Sequence, residues 1–119
     1  MSDPKIVAKA YLETWNAASG QRSAALSSAW RPDAVYTDPL MSGKGHEALQ
    51  AMMDSAMAQF PGHRFALEGE PDGHGHFVRF SWTLRNGAEA SVARGTDVVR
   101  LDEGGRIAEV IGFLDGAAA

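Results

Sequence analysis

The sequence predicts an α+β domain in which N-terminal helices cover one face of a curved antiparallel sheet. Apolar residues recur at three- and four-residue steps in the first half of the chain and alternate with polar residues from His63 onwards. Two turn signals, Asn86-Gly87 and Asp102–Gly105, divide the alternating half into consecutive strands. Because such a sheet has one face to cover, we expect the helices to pack across it and leave a cone whose open end can hold a small molecule.

Length and composition indicate one domain over residues 1–119. The chain has 45% hydrophobic and 22% charged residues and a formal net charge of -4, so it offers no concentrated basic face for nucleic acid or an anionic membrane. The absence of cysteine excludes disulfides, thiol catalysis and thiolate metal sites. No apolar run approaches the ~18 residues of a membrane span, and the N-terminus lacks the apolar segment of a signal peptide. We therefore expect a cytoplasmic protein.

Capping signals and apolar periodicity predict three helices. The first helix begins at Pro4, because a first turn accepts proline and either Asp3 or Ser2 can cap it. Asn, Ser and Gly residues collect at positions 16–20 and end it. The predicted helices are Pro4 to about Asn16, Ser23–Trp30 and about His46–Gln59.

Proline and glycine mark the breaks between the strands. Arg31-Pro32-Asp33 ends the second helix, since proline disfavours helical geometry in the residue before it. Ser42–Gly45 and Pro71–Gly73 are predicted to be turns. The spacing of His74 and His76 could suit a shared metal, but next to a turn we expect them to be solvated. The predicted strands are Ala34–Asp38, His63–Glu68, Phe77–Arg85, about Ala88–Leu101 and Arg106–Leu114.

Three polar side chains lie on otherwise apolar faces and are the candidate functional residues. Tyr11 lies in the apolar stripe of the first helix, and Asp38 ends the first strand. Each also has a purely structural interpretation. Tyr11 can be a core tyrosine that donates a hydrogen bond to a backbone carbonyl, and Asp38 can be a turn-forming aspartate beside proline. Alternation places Asp97 on the same face as Val99 and Leu101. Strands are poor in aspartate, so an inward carboxylate at this position indicates a function, unless the two faces are reversed.

Two further patterns give weaker signals. His63 alternates with Phe65 and Leu67, so it can point into the cone as an acid, base or ligand donor, or cap the preceding helix. Gly43–Ala48 fits a dinucleotide-binding G-x-G-x-x-A pattern, but the βαβ unit that this motif requires is missing. We therefore expect no cofactor.

A family resemblance is carried by Tyr11–Asn16, Asp33–Pro39, Gly45–Leu49 and Gly95–Asp97, the last followed by Leu101–Ile107. These segments resemble the SnoaL-like branch of the nuclear-transport-factor-2-like superfamily, which includes ketosteroid isomerases and polyketide cyclases. The resemblance covers about residues 4–115. It implies a cone-shaped α+β barrel of the cystatin-like type with a ligand cavity inside, commonly as a homodimer formed through the outer face of the sheet.

The resemblance also implies a role for each of the three polar residues. Tyr11 matches the oxyanion-hole tyrosine of ketosteroid isomerases, Asp38 in its Asp-Pro step matches the general base, and Asp97 matches the second acid of the oxyanion hole. In such a site the ionised base moves a proton alpha to a carbonyl, while an acid kept neutral by apolar surroundings donates a hydrogen bond to the enolate oxygen. The implied function is that of an isomerase or cyclase acting on a small apolar molecule.

Two non-catalytic functions remain open for the same fold. The domain can be a ligand carrier, or a dimerisation module whose cone is filled by its own Trp and Met side chains and holds no cavity of even ~300 Å³. We expect no metal, and the expected partners are a small apolar molecule and a second copy of the chain. The predicted pocket residues are Trp15, Met53, Met57, His63, Phe80, Trp82, Val99 and Phe113.

Overall fold

The computed structural model describes residues 3–115, and within that range it contains three helices and six strands. The helices are α1 (Pro4–Asn16), α2 (Ser19–Ala29) and α3 (His46–Ala58). The strands are β1 (Trp30–Thr37), β2 (Ser42–Lys44), β3 (Arg64–His74), β4 (Phe77–Arg85), β5 (Ser91–Leu101) and β6 (Ile107–Leu114). The predicted α+β architecture, with helices packed on a curved and unclosed sheet, is confirmed. None of the helices in this range is long and apolar enough to cross a membrane.

α1 begins at the predicted residue because its cap and its first residue both suit a helix start. Asp3 has an extended backbone and its side chain accepts a hydrogen bond from Lys5 N at 2.8 Å, while Pro4 occupies the first turn. The alternative cap, Ser2, lies outside the described residues. The buried stripe of α1 consists of Val7, Ala8, Tyr11, Leu12, Thr14 and Trp15.

α2 differs from the prediction at both ends, since it begins at Ser19 rather than Ser23 and stops before Trp30, the first residue of β1. A buried arginine in its first turns explains the early start. Arg22 is 2% exposed, pairs with Asp54 of α3, and donates hydrogen bonds to three carbonyls at the end of α1. Carbonyl groups at the end of a helix have no hydrogen-bond partner within that helix. Arg22 supplies the missing donors, and this tertiary contact holds the residues around Arg22 in the first turns of α2. The three carbonyl groups belong to Thr14, Trp15 and Ala17, at 3.0, 3.0 and 2.7 Å.

The six strands form one sheet in the order β2-β1-β6-β5-β4-β3. From β3 to β6 it is the predicted antiparallel meander, and β2 also pairs antiparallel with β1. β1 and β6 are parallel, which corrects the prediction of a wholly antiparallel sheet. Parallel neighbours need a long connection, and here α3 and the meander together supply it.

β1 is longer than predicted because an irregularity in its pairing accommodates a proline. The strand runs from Trp30 through Arg31-Pro32-Asp33, where the sequence predicts a break, and its register with β6 shifts between Trp30 and Val35. Proline has no amide hydrogen to donate, so it is tolerated at such a shift. Ser42–Lys44, predicted as a turn, pairs with the end of β1 as an edge strand.

β3 extends through the predicted turn at Pro71–Gly73. Asp72 and Gly73 pair with β4, and a shift in register between Glu68 and Asp72 accommodates Pro71 on this edge strand. The turn follows at Gly75-His76, where Gly75 has a φ of 56°. His74 therefore ends a strand instead of lying in a loop, and both histidines are exposed.

The connection between β4 and β5 is longer than the predicted two-residue Asn86-Gly87 turn. Arg85 pairs with Ser91, so the loop spans residues 86–90. The Asn86 side chain organises it by accepting hydrogen bonds from the backbone amides of Ala88 at 2.9 Å and Ala90 at 3.1 Å. β5 consequently begins at Ser91 rather than near Ala88.

The core lies between α1 and the inner face of the sheet. Trp30 is completely buried, and its indole donates a hydrogen bond to Thr14 Oγ1 at 3.1 Å. The ring of Tyr11 stacks on Trp30 with centroids 5.6 Å apart and meets Phe80 of β4 edge-on at 5.1 Å. This aromatic packing fixes α1 so that Tyr11 and Trp15 face the sheet.

Candidate functional site

A cavity of about 160 Å³ lies between α1, the end of α3 and the inner face of the sheet. Its walls are apolar except for the polar ends of a few side chains. Leu40 is 73% exposed and marks the mouth of the cavity. The lining residues are Tyr11, Leu12, Trp15, Tyr36, Asp38, Leu40, Met41, Ala56, Met57, Phe60, Phe65, Trp82, Leu84, Ala93, Asp97 and Leu114.

Asp97 projects from β5 into the cavity and is only 2% exposed. Its Oδ2 accepts a hydrogen bond from Tyr11 Oη at 2.5 Å, and its Oδ1 accepts one from Trp82 Nε1 at 3.2 Å. Burial raises the pKa of Asp97 to about 6; the hydrogen bonds from Tyr11 and Trp82 oppose this shift, and the nearby Asp38 carboxylate adds to it. Asp97 is therefore a buried carboxyl group that takes up a proton close to neutral pH.

Tyr11 brings a phenol from α1 to this carboxyl group. Its side chain is 2% exposed. Burial, followed by the negative charge of Asp97, raises the pKa of Tyr11 well above its usual value. The hydroxyl group consequently keeps its proton and acts as a hydrogen-bond donor.

Asp38 follows β1 and also lines the cavity. Its Oδ1 accepts hydrogen bonds from the backbone amides of Leu40 at 2.7 Å and Met41 at 2.9 Å, which is the turn-forming role that aspartate often has beside proline. Its Oδ2 accepts a hydrogen bond from Tyr36 Oη at 2.5 Å. The turn therefore holds one oxygen, and the other faces Tyr36 in the cavity wall.

Tyr36 is a site residue that the sequence reasoning missed. It is 4% exposed, and burial raises its pKa above the usual value, so it also stays a donor. The signal was present, because Tyr36 and Asp38 are two residues apart and lie on one side of the chain.

Two glycines give the polar side chains their positions. Gly112 of β6 pairs with Asp97, and a Cβ atom at this glycine would lie 2.9 Å from Asp97 Oδ1 and 3.2 Å from Asp38 Cβ. A Cβ atom at Gly95 would lie 2.4 Å from Cζ2 of Trp82. Because Gly112 has no side chain, the Asp97 and Asp38 side chains can lie close to the backbone of β6. Because Gly95 has none, the Trp82 indole can lie against β5.

The structure places only some of the predicted pocket residues at the cavity. Trp15, Met57 and Trp82 line it. Met53, Phe80 and Val99 are buried in the core without lining it. His63 lies outside the cavity, at a surface depression beside Arg22 and Asp54, and its Nδ1 lies 3.0 Å from the carbonyl oxygen of Pro61.

Phe113 is a correction to the predicted pocket. It is 54% exposed and pairs with Thr96, so it lies on the outer face of the sheet. On β6 the inward positions are Val110, Gly112 and Leu114. Glycine gives no apolar signal at its inward position, which makes the exposed residues around it look like the core face.

We searched the part of the chain that the structure describes for side chains that could bind a metal ion together. No group of three or more His, Asp or Glu side chains is arranged there to hold a metal ion. The polar groups of the cavity are two carboxyl groups, two phenols and indole N–H groups. Such a set can accept, hold and donate protons.

Comparison with known proteins identifies the family of this fold and site. The family model described as SnoaL-like domain matches residues 8–110. A candidate isomerase of the SnoaL-like family from Agrobacterium tumefaciens is 46% identical, with coverage of 98% of this chain and 100% of that chain and a TM-score of 0.93. Comparison with curated protein sequences finds no match.

More distant solved structures share the fold. A candidate SnoaL-like polyketide cyclase from Jannaschia sp. is 17% identical, with coverage of 97% of this chain and 87% of that chain and a TM-score of 0.77. A SnoaL-like protein of unknown function from Burkholderia thailandensis is 13% identical, with 95% coverage of both chains and a TM-score of 0.75. The SnoaL-like domain model matches most of the chain, and this match shows that the chain belongs to the SnoaL-like domain family.

Proposed function

We propose that this protein is an isomerase or cyclase that acts on a small apolar molecule. It transfers a proton from the carbon atom alpha to the carbonyl group of that molecule. Asp38 takes the proton, and Tyr11 and Asp97 donate hydrogen bonds to the enolate oxygen. The observation that carries the proposal is that two carboxyl groups with different surroundings line one apolar cavity. The likeness to a candidate isomerase supports the same class of reaction.

The surroundings of Asp38 suit a general base. The carboxylate accepts hydrogen bonds from two backbone amides on Oδ1 and from Tyr36 on Oδ2. Each carboxylate oxygen can accept two hydrogen bonds, so one lone pair of Oδ2 remains for a substrate proton. The turn holds the group in place while that lone pair faces the cavity.

The surroundings of Asp97 suit a hydrogen-bond donor. With a pKa of about 6, this carboxyl group carries a proton below about pH 6. The protonated acid can donate to the substrate oxygen, or donate to Tyr11 Oη and thereby free the Tyr11 proton for that oxygen. Donors aimed at an oxygen that becomes negative stabilise the transition state by several kcal/mol.

The proposed isomerisation needs no co-reactant, because the proton that the substrate loses is returned to it. The C–H bond alpha to the carbonyl breaks, the proton moves to Asp38 Oδ2, and the electron pair moves to the carbonyl oxygen. The proton then returns to the gamma carbon of the dienolate, which restores the carbonyl and the carboxylate. No hydride, oxidant or metal enters the step.

The cavity has room to enclose about one ring of a substrate. Its volume of about 160 Å³ is close to that of an engineered cavity of ~150 Å³ that binds benzene. It is smaller than the ~300 Å³ at the low end of drug-sized pockets. A molecule such as a cyclohexenone would therefore fit within the cavity.

The test is the conversion of 3-cyclohexen-1-one to its conjugated isomer, followed by ultraviolet absorbance between pH 5 and 8. We expect the wild-type protein to accelerate the reaction and Asp38→Asn to lower kcat by about 10²-fold or more. The control is Asp72→Asn, which alters an exposed aspartate paired with Arg79 and should leave kcat unchanged. No acceleration by the wild-type protein over this pH range would contradict the proposal.

The dimerisation module is the second candidate function, and two observations favour it. The cavity is smaller than ~300 Å³, as that hypothesis expects. Ile111 and Phe113 of β6 are 43% and 54% exposed on the outer face of the sheet, where Ile111 pairs with Val98. An exposed apolar row of this kind suits a homodimer formed through the outer face. A ligand carrier, by contrast, would bind the cyclohexenone without converting it.

A further inference from the structure

One hydrogen-bond donor in the cavity wall has no acceptor. Trp15 is 5% exposed and lines the cavity, and its indole N–H finds no partner among residues 3–115. It is the one buried side-chain nitrogen or oxygen in that range without a hydrogen bond. Folded proteins pair the large majority of such groups, so this N–H calls for an explanation.

The two other tryptophans of the chain have acceptors. Trp30 donates to Thr14 Oγ1 at 3.1 Å, and Trp82 donates to Asp97 Oδ1 at 3.2 Å. Trp82 shows that the cavity wall can satisfy an indole with a protein oxygen. Trp15 lines the same cavity without such an oxygen, which leaves its N–H for a bound molecule.

The indole of Trp15 lies beside the hydroxyl group of Tyr11. The two residues are four positions apart on α1, so their side chains lie on one face in successive turns. Both side chains line the cavity, and burial raises the pKa of Tyr11 while the nearby Trp15 indole opposes that shift. Two donor side chains from one helix therefore lie next to each other in the cavity wall.

We propose that Trp15 Nε1 donates a hydrogen bond to the same ligand oxygen that Tyr11 binds. The ligand class that fits is a single-ring ketone or enone, because a carbonyl oxygen has two lone pairs and the remaining wall is apolar. The inference rests on the proposed function for the identity of that oxygen. It adds Trp15 as a ligand-binding residue that orients the carbonyl group.

The test uses the indole N–H signals of the ¹⁵N-labelled wild-type protein during titration with 2-cyclohexen-1-one. The three indole signals are assigned from single Trp→Phe variants. We expect the Trp15 proton to shift downfield and saturate while the Trp30 proton, which is bonded to Thr14, stays in place. A saturable shift of the Met57 methyl group without movement of the Trp15 signal would overturn the inference, as would no shift of any cavity signal.

A variant gives a second and independent readout. Trp15→Phe removes the donor and keeps an aromatic ring, and unchanged Trp30 and Trp82 signals would show that it is folded. We expect the Kd for 2-cyclohexen-1-one to rise about tenfold, as for the loss of one hydrogen bond to a ligand. An unchanged Kd in the folded variant would contradict the inference. Turnover without a Trp15 shift overturns this inference alone, whereas a Trp15 shift without turnover overturns the proton-transfer proposal alone.

Discussion

Tyr11 Oη lies 2.5 Å from Asp97 Oδ2, although the two residues are 86 positions apart in the chain. This contact joins α1 to β5 at the inner wall of the cavity, where both side chains are 2% exposed. A buried carboxyl group with few partners is sensitive to its charge, because the surroundings stabilise the neutral form. The stability of the fold and the chemistry of the cavity therefore depend on the same proton.

The first prediction concerns the pH dependence of stability. The pKa of Asp97 is about 6 in the folded protein, compared with 3.8 for an ordinary aspartate, so the folded state binds this proton more tightly. The resulting stabilisation is fully present below about pH 4 and is lost as the pH rises through about 6. It amounts to about 3 kcal/mol.

Urea denaturation of the wild-type protein and Asp97→Asn between pH 4 and 7 measures this contribution. The asparagine mimics the protonated acid and removes the titration, so the difference in unfolding free energy between the two proteins should change over that range. Exposed aspartates contribute equally to both proteins and cancel. A difference that is independent of pH would contradict the assigned titration.

The second prediction concerns the close packing of the two aspartates over Gly112 of β6. In Gly112→Ala the new Cβ atom would lie 2.9 Å from Asp97 Oδ1 and 3.2 Å from Asp38 Cβ, so the Asp97 carboxyl group must shift and Asp38 must give way slightly. We expect a loss of about 1–3 kcal/mol in unfolding free energy and a loss of cyclohexenone isomerisation. The control is Gly20→Ala in α2, where the new atom meets nothing within 4 Å and should stabilise the helix by about 0.5–1 kcal/mol. Wild-type stability and activity in Gly112→Ala would show that the close contact is unnecessary.

The third prediction concerns the arginine that joins the three helices. Arg22→Met leaves the carbonyls at the end of α1 and the Asp54 carboxylate without their donor. We expect a loss of about 3 kcal/mol in unfolding free energy, measured by chemical denaturation. Arg79→Met removes an exposed ion pair and should leave the unfolding free energy almost unchanged. Similar effects of the two substitutions would contradict a structural role for Arg22.

The fourth prediction concerns the homodimer. We expect the wild-type protein to sediment as a dimer at micromolar concentration and Phe113→Glu to sediment as a monomer, since a carboxylate next to Ile111 opposes the burial of this part of the outer face. Ile6→Glu is the control, because Ile6 is 67% exposed on α1 and away from the sheet. A monomeric wild-type protein would exclude the proposed dimer.

The sequence contains enough local information to predict the helices, the meander and the inward direction of Asp97. Alternation on β5 reports this direction correctly, because Gly95, Asp97, Val99 and Leu101 are all buried. The parallel pairing of β1 with β6 depends on contacts between distant segments, which periodicity does not report. The strand conformation at Pro32 depends in the same way on a shift in pairing that only the sheet reveals.

The parts of the site that escaped prediction also depend on distant contacts. Arg22 lies in a polar stretch of the sequence, and only the end of α1 and Asp54 give it a buried environment. The wrong prediction that Phe113 lines the pocket has a local cause. Gly112 occupies an inward position of β6 but has no side chain, so the sequence shows no apolar residue at that position. The Trp15 N–H becomes informative only when its surroundings show that it has no acceptor.

The most direct test of the central claim is a ¹³C NMR titration of the Asp97 carboxyl carbon in the ligand-free protein. The proposed function requires a buried acid that holds its proton close to neutral pH next to Tyr11, in the cavity that Asp38 also lines. We expect a midpoint at about pH 6 for Asp97. A midpoint near that of an exposed aspartate, ~3.9, would contradict it.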